Sequence, residues 1–302
     1  MLVTSERWSE LDLPVSGRYT GVRSHTPKET VAEAVAAAEG ADGILAVGGG
    51  SAIDTAKAAS AETRLPVVSV PTTYSGAEWT PAFGIRDEES RVKGGGGGAH
   101  LAGIVYDVEL TLGLPLEETV GTALNALAHC AEALYVEGRN DEADEEALAG
   151  ARAISQSLPL VAADPGFVDA RRRLLEGAMH AGAALAGAGL GLAHAMAQAL
   201  GGRYGIAHGA ANAVCLAPVL RFNQPAAARQ IARFGEAIAT DDPASRVEEL
   251  ARLGGFRLLR HLGVPEDEVD ELAAEAADRR GTKANPRAAT AAQIAELYRS
   301  IW

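Results

Sequence analysis

The stretch ADGILAVGGGSAIDTAKAAS, from Ala41 to Ser60, decides the fold of this chain. Its residues Gly43 to Val47 form a short apolar run, which is typical of a strand buried on both faces. The glycines that follow, Gly48 to Gly50, allow the backbone to turn sharply. Helix-forming residues begin at Ser51, which we predict to be the N-cap. The stretch therefore predicts a strand, a glycine turn and a helix in immediate succession.

A turn of this kind is suited to bind an anion. The first N–H groups of a helix have no partners within the helix, and the helix dipole places positive charge at the same end. A pyrophosphate fits such a site best, and the alternative is a tight turn with no ligand. Three adjacent glycines are costly unless the backbone must approach something closely, so phosphate binding is favoured. The pattern differs from the GxGxxG of an ordinary Rossmann site.

Outward from this unit, apolar runs alternate with helical patterns. Leu65 to Val70 predicts a second buried strand, and Thr30 to Glu39 predicts a helix. Shorter strands are predicted at Leu2 to Ser5, Gly21–Val22 and Ile104 to Asp107. Alternation of this kind predicts a parallel sheet, whose ligands bind at the carboxyl ends of the strands.

Two stretches beyond the second buried strand have other signatures. Phe83 to Asp87 and Arg91 to Lys93 are predicted to form a hairpin. The five consecutive glycines from Gly94 to Gly98 are predicted to be a flexible loop.

Helical periodicity replaces strand signals after about Thr111. We therefore predict two domains, 1–112 and 113–302, the first α/β and the second all helix. The predicted helices of the second domain are Thr119 to Val136, Glu142 to Leu158, Asp169 to Leu185, Leu192 to Leu200, Ala210 to Arg221, Pro225 to Ala239, Pro243 to Leu262, Glu266 to Arg279 and Ala291 to Tyr298.

Composition excludes several classes of protein. The net charge of −13 argues against a nucleic-acid partner, because phosphate binding needs clustered Lys and Arg. Cys130 and Cys215 make no disulfide framework, and no signal peptide precedes Glu6, so we expect a cytoplasmic protein. Polar residues interrupt the most apolar stretch, Gly177 to Leu200, so no membrane span is predicted.

Three histidines lie on three predicted helices: His129, His194 and His208. Imidazoles on separate helices are able to converge on zinc or iron. The alternative is three hydrogen-bonded core histidines, which is the commoner case. No HExxH or CxxC motif adds support for a metal.

Taken in order, these stretches resemble the iron-containing (group III) alcohol dehydrogenase superfamily, which includes the maleylacetate reductases. The resemblance runs from about Leu2 to the C-terminus, and the Thr-Thr-Tyr in its second motif is similar to the maleylacetate reductase branch. The motifs that carry it are GILAVGGGSAIDTAKA, PTTYSGAEWTP, IVYDVELTLGLP, GTALNALAHCAEALY, GLGLAHAMAQALGGRYGIAHGAANAVCLAPVLRFN and Asn285-Pro286-Arg287.

The resemblance implies a dehydroquinate synthase-like architecture: an α/β dinucleotide-binding domain with a parallel sheet, and an all-α C-terminal domain. It implies an active site in the cleft between them, NAD or NADP as cofactor, and commonly a homodimer. The implied cofactor-binding residues are Gly48, Gly49, Gly50 and Ser51 at the pyrophosphate, with Asp54, Thr72, Thr73 and Ser75 nearby.

His129, His194 and His208 take three of the four metal-ligand positions of the family, and they are the implied catalytic residues. The fourth position, Asp in metal-dependent members, is Asn125, and a neutral amide is a poor ligand for iron or zinc. Maleylacetate reductases resemble this chain in having Asn at that position. The resemblance to them implies an enzyme that acts without a metal.

Other positions depart from the family pattern. Gln198 takes the place of a histidine that many relatives have near the nicotinamide. Ala193, Ala195 and Asn212 replace the further histidines and lysines that are typical of maleylacetate reductases. Ser5 takes the place of an Asp of NAD-specific relatives, so we predict that NADPH is tolerated.

The leading hypothesis is an NAD(P)H-dependent reductase that converts maleylacetate to 3-oxoadipate, with the three histidines as hydrogen-bond or proton donors. Lys93, Arg139 and Arg203 are the candidates to pair with the carboxylates of such a substrate. The alternative is an iron- or zinc-dependent alcohol dehydrogenase that acts on a small aldehyde or ketone. A second alternative, motivated by Asn125 and Gln198, is a nucleotide-binding protein without catalysis.

Overall fold

The computed structural model describes all of the chain, Met1 to Trp302. It divides into two compact units: Met1–Thr73 with Ala77–Gly113, and Tyr74–Gly76 with Leu114–Trp302. The domain boundary after residue 112 stays a prediction, because compactness does not show that either part folds by itself.

The first unit is built on a parallel sheet of five strands in the order β2-β1-β3-β4-β7. The central strands β3 and β4 pair from Ile44–Val67 to Gly48–Pro71, and the side chains of Ile44, Ala46 and Val67 are buried. The elements of this sheet are β1 Leu2–Thr4, β2 Arg18–Tyr19, α1 Lys28–Ala37, β3 Ile44–Gly48, α2 Gly50–Thr63, β4 Pro66–Pro71 and β7 His100–Ile104.

Two of the short predicted strands are displaced. The strand predicted at Gly21–Val22 lies earlier, at β2, and Gly21 makes only an isolated bridge with Ser5. The last strand ends at Ile104 and does not reach Asp107. The cause is local, since the Asp107 carboxylate accepts from the Glu109 N–H at 2.9 Å and begins a short 3-10 helix instead.

The glycine run does not form the predicted flexible loop. Gly94 to Gly96 belong to β6 (Val92–Gly96), which pairs antiparallel with β5 (Phe83–Asp87). A Cβ on Gly95 would lie 2.6 Å from the Phe83 carbonyl oxygen, and one on Gly96 would lie 2.6 Å from the Phe83 ring. Only glycine leaves room for Phe83 at positions 95 and 96, whereas a Cβ on Gly94, Gly97 or Gly98 would have no atom within 4 Å.

The second unit is helical throughout, as predicted. Its central helix α3 is buried along most of its length and packs against α4, α5 and α7. The helices are α3 Leu116–Ala133, α4 Asp141–Ala163, α5 Val168–Ala188, α6 Leu192–Tyr204, α7 His208–Ala237, α8 Pro243–Arg252, α9 Val269–Ala277, α10 Arg280–Lys283 and α11 Ala291–Ser300.

One helix prediction in this unit is wrong. The helix predicted from Pro243 to Leu262 ends at Arg252, because Gly255 adopts a left-handed φ of 83°. The two helices predicted at Ala210 to Arg221 and Pro225 to Ala239 lie within α7, where the non-helical backbone angles of Ala227 form a kink between two helical parts. The kink follows Pro225, which has no N–H to donate to the preceding turn.

No single helix is both long and apolar enough to cross a bilayer, and the pair α5–α6 reaches that length only across a bend of 102°.

Candidate functional site

The glycine turn of the first unit lies between the end of β3 at Gly48 and the start of α2 at Gly50. The N-cap is Gly49, which has the extended conformation of a cap residue, and not Ser51 as predicted. Ser51 lies inside the first helical turn, where its hydroxyl oxygen accepts from the His25 N–H at 3.1 Å. No side chain caps α2, so its first N–H groups face outward from the helix without a side-chain acceptor.

The glycine turn encloses a space that a side chain at Gly48 or Gly49 would fill. Gly48 has a φ of 148°, and a Cβ there would lie 2.8 Å from the Ala52 Cβ. A Cβ on Gly49 would lie 2.9 Å from the Thr73 methyl group. The Thr72 N–H donates to the Gly48 carbonyl at 3.0 Å, and the Thr73 hydroxyl is buried without a hydrogen-bond partner. These residues fit a diphosphate group, which takes backbone N–H and hydroxyl donors.

Asp54 has partners within the protein. Its carboxylate pairs with the Lys57 ammonium at 2.9 Å and accepts from the Gly84 N–H at 3.0 Å. Lys57 is buried and also donates to the carbonyl groups of Ala77 and Ala82. Asp54 therefore links α2 to the hairpin β5–β6, and its role at the cofactor stays a prediction.

In the second unit, His129 of α3, His194 of α6 and His208 of α7 lie together. The rings of His129 and His194 are stacked, with centroids 4.6 Å apart and planes 12° from parallel. The His194 and His208 rings are 5.5 Å apart and tilted by 53°. His129 and His194 are buried, so the cluster is a shielded group of imidazoles.

Glu132, which no sequence motif indicated, is fully buried beside this cluster. One carboxylate oxygen lies 2.6 Å from His194 Nδ1 and accepts from the Gly191 N–H at 2.7 Å. The other oxygen accepts from the Ala193 N–H at 2.7 Å. A carboxylate within the apolar run LAHCAEALYV, one turn after His129, was the available signal, because buried acids are rare unless paired.

Asn125 completes the cluster through directional hydrogen bonds. Its Nδ2 donates to the Ser75 carbonyl at 2.9 Å, which turns its Oδ1 toward the histidines. That oxygen accepts from Asn212 Nδ2 at 2.8 Å and lies 3.3 Å from His194 Nε2. Asn212 Nδ2 lies 3.2 Å from His208 Nε2 as well. Ser75, implied to contact the cofactor, thus belongs to the second unit, and its hydroxyl is buried without a partner.

The histidine cluster does not have the geometry of a metal site. A metal ion lies in the plane of each imidazole that binds it, at about 2.0–2.1 Å from the nitrogen. The stacked and nearly parallel rings of His129 and His194 share no such point. No three His, Cys, Asp or Glu side chains in the chain are arranged to hold a metal ion, and the amide of Asn125 adds no charge.

Burial controls the ionisation of His129. Burial first, and then the positive charge of His194, lower the pKa of His129 well below its ordinary value of 6.5. His129 is therefore neutral at neutral pH, and its Nδ1 is buried without a hydrogen-bond partner.

Two of the three cations proposed for substrate carboxylates already have acidic partners. Arg203 pairs with Glu268, Glu271 and Glu275, and Arg139 pairs with Asp144. Lys93 lies in β6 of the first unit. Another cation was missed: Arg279 donates to the Gln198 carbonyl oxygen at 3.4 Å, one helical turn after His194.

Comparison with known proteins gives consistent matches over both units. Residues 119–302 match the family model described as Fe-containing alcohol dehydrogenase family, C-terminal, and residues 4–102 match Iron-containing alcohol dehydrogenase. The maleylacetate reductase of Sphingobium indicum is 36% identical over 284 residues, which are 93% of this chain and 80% of that protein.

Crystal structures of similar proteins superpose over the whole chain. An iron-containing alcohol dehydrogenase from Corynebacterium glutamicum has a TM-score of 0.91 at 30% identity, covering 100% of this chain and 87% of that chain. The maleylacetate reductase of Agrobacterium tumefaciens has a TM-score of 0.89 at 31% identity, covering 100% of this chain and 88% of that chain.

Proposed function

Because the chain belongs to the iron-containing alcohol dehydrogenase family, in its maleylacetate reductase-like branch, we propose that it reduces maleylacetate to 3-oxoadipate without a bound metal ion. It has the predicted dehydroquinate synthase-like fold and is an NAD(P)-dependent oxidoreductase that acts on a small molecule. The identity of the substrate and the absence of a metal are the proposed parts.

One observation carries the proposal: the stacked histidine cluster with Asn125 in it. A Lewis-acid site needs ligands that converge on one point, and these rings do not. The same side chains are well placed as hydrogen-bond donors, because His194 has a carboxylate at one nitrogen and an amide oxygen at the other. Such donors stabilise the negative charge that develops on a carbonyl oxygen during reduction.

The glycine turn is the proposed site of the cofactor diphosphate. Gly48, Gly49, Gly50 and Ser51 offer backbone N–H groups at the start of α2, and Thr73 offers a hydroxyl with no other partner. The nicotinamide, when bound, supplies the hydride. The absence of a carboxylate at Ser5 leaves the 2′-phosphate of NADPH unopposed, so both cofactors are proposed to work.

The chemistry left to the protein is the stabilisation of an enolate. Maleylacetate has a carbon–carbon double bond next to a ketone, and addition of hydride to the far carbon drives charge onto the ketone oxygen. His194 is proposed to donate to that oxygen, while neutral His129 packs against its ring and keeps water away. His208, on the third helix, lines the other side of His194.

We propose Arg279 as the partner of one substrate carboxylate. It donates to the Gln198 side chain, on the same face of α6 as His194, since residues four apart share a helix face. Burial lowers the pKa of the Arg279 guanidinium below its ordinary value.

A homodimer in the cytoplasm is the proposed setting, with neither nucleic acid nor membrane as partner. The net charge of −13 opposes binding to phosphates, and the two free cysteines are buried. Light scattering coupled to size exclusion measures the oligomeric state directly.

The proposed activity is tested by following oxidation of NADH and NADPH with maleylacetate in one series and simple aldehydes and ketones in another. Each assay runs with a chelator and, separately, with added ferrous iron or zinc. We expect chelator-resistant turnover of maleylacetate. Turnover of simple carbonyls alone, abolished by chelator and restored by metal, would mean an alcohol dehydrogenase with a metal site.

A further inference from the structure

We propose that Glu132 is a positioning residue for the reduction: it fixes His194 so that Nε2 presents a proton to the substrate carbonyl oxygen. The inference rests on the proposed reductase function, because it names the group that makes His194 a donor. Glu132 itself touches His194 and backbone, and contacts neither of the other two histidines through any hydrogen bond.

The contacts of Glu132 are those that a carboxylate makes. Its oxygens accept from the Gly191 and Ala193 N–H groups at 2.7 Å each, and from His194 Nδ1 at 2.6 Å. These N–H groups belong to the start of α6, where the helix dipole favours negative charge. A fully buried carboxylate is thereby stabilised without an arginine or lysine.

The consequence for His194 follows from the direction of each hydrogen bond. A carboxylate only accepts, so Nδ1 of His194 carries a proton. At the other nitrogen, the Ser75 carbonyl orients the Asn125 amide so that its oxygen, and not its NH2 group, lies 3.3 Å from Nε2. Nε2 therefore carries a proton too, and the ring is a double donor held in one orientation.

His129 is consistent with a cationic His194. The two rings are stacked 4.6 Å apart, and two adjacent charges would repel strongly in a buried site. Because the Glu132 carboxylate contacts His194 and not His129, a single positive charge in this pair is on His194.

The proton balance of the step is simple. A bound nicotinamide would supply the hydride for the new C–H bond at the carbon remote from the ketone, and the double-bond electrons would move onto the ketone oxygen. Nε2 of His194 gives its proton to that oxygen and stays bound to Glu132 through Nδ1–H. The enol then takes a solvent proton at carbon and returns its O–H proton to His194, so one hydride and one proton are consumed.

The variant Glu132→Gln tests this role with little change of shape. With the glutamine oxygen accepting from the Ala193 N–H, its NH2 group takes the place of the oxygen that faces both the Gly191 N–H and Nδ1. The Gly191 N–H then loses its acceptor, and Nδ1 must be bare to accept from the NH2 group. His194 becomes neutral and a weaker acid, so we expect kcat to fall by about 10²-fold with KM within about threefold. An unchanged kcat, or a loss confined to KM, would overturn the proposal.

The chain offers a matched control in Glu146. Its carboxylate lies 2.6 Å from His180 Nδ1, the same distance as in the Glu132–His194 pair, but the two residues are partly exposed and outside the cluster. Glu146→Gln should therefore leave kcat and KM as in the wild type. A loss of turnover in Glu146→Gln equal to that in Glu132→Gln would also overturn the proposal.

A spectroscopic measurement decides the question if Glu132→Gln does not fold. Two-bond 1H–15N correlation spectra of the histidine-labelled wild-type protein distinguish protonated from bare ring nitrogens, and His194→Gln identifies the signals. We expect both nitrogens of His194 to be protonated at neutral pH. A bare nitrogen would overturn the inference.

The two proposals fail in different ways. If the wild type reduces another carbonyl compound instead of maleylacetate, the proposed function is wrong, yet Glu132→Gln must still lose turnover of that compound. The nitrogen signals of His194 depend on no substrate. Normal turnover of maleylacetate by Glu132→Gln would leave the proposed function in place and remove the role of Glu132.

Discussion

Replacing Asn125 with aspartate gives the cluster the residue type of the metal-dependent relatives, and it tests how the amide is held. In the present structure the amide donates to the Ser75 carbonyl at 2.9 Å. A carboxylate of the same shape brings an acceptor oxygen to that carbonyl in place of a donor. Leaving a buried acceptor unpaired costs about 1–3 kcal/mol, which lowers Tm by about 2–12 °C for a unit of this size.

The aspartate should also reduce activity. Its second oxygen takes the place of Asn125 Oδ1, which lies 3.3 Å from His194 Nε2. A charged acceptor there competes with the substrate oxygen for the His194 proton, so we expect kcat to fall by about 10²-fold. We expect no stoichiometric iron or zinc, because the carboxylate leaves the stacked rings of His129 and His194 unchanged.

The assays are thermal unfolding, turnover with chelator or with metal, and metal analysis of the purified variant. Asn223→Asp is the control, because Asn223 forms a buried reciprocal amide pair with Asn285, at 2.8 Å in both directions, away from the histidines. The control should lose a similar amount of stability and keep its turnover. This separates damage to a buried amide from damage to the site.

Two results would refute the reasoning. Stoichiometric metal in Asn125→Asp that is required for turnover would mean that the rings are free to converge on an ion. An unchanged Tm together with unchanged kcat would mean that the hydrogen bond from Asn125 to Ser75 does not orient the amide.

Three further predictions address the cofactor turn and the buried imidazole. Gly49→Ala places a Cβ 2.9 Å from the Thr73 methyl group, so KM for NADPH should rise by about tenfold. Gly103→Ala is the control, because its Cβ has no atom within 4 Å, and it should keep the wild-type KM. Ser5 follows β1, the strand next to β3. Ser5→Asp brings a carboxylate that repels the 2′-phosphate, so the ratio of kcat/KM with NADPH to kcat/KM with NADH should fall by about tenfold. An unchanged ratio would mean that the cofactor ribose lies elsewhere. His129 has a lowered pKa, so its contribution to stability is present above pH 6.5 and is lost as the pH falls below that value. The fall in Tm on acidification should therefore be smaller in His129→Gln, and parallel profiles would contradict this.

The features predicted correctly from the sequence are those with a local cause. The strand, glycine turn and helix around Gly48 follow from consecutive residues. The failures have distant causes. The run Gly94–Gly98 was predicted to be a loop because its packing partner, Phe83, lies on the other strand of the hairpin. Arg203 was predicted to meet substrate because its three glutamates are more than sixty residues away.

Glu132 shows the same limit at the site itself. Its position on α3 is readable from periodicity, but its partners are the first N–H groups of α6, and no sequence pattern pairs the two. Burial of an acid is the only local signal, and it does not say which histidine the acid meets.

Two departures from the family pattern are one feature in the structure. Asn125 and Asn212, far apart in sequence, are joined by a 2.8 Å hydrogen bond from the Asn212 amide to the Asn125 oxygen. Asn212 also donates to the His208 carbonyl oxygen at 3.2 Å, within its own helix. A lysine at 212 would bring a charge against the cationic His194, whereas a neutral amide supplies the donor that the Asn125 oxygen needs. The cluster therefore keeps its single positive charge on His194, where the carbonyl oxygen of a substrate can use it.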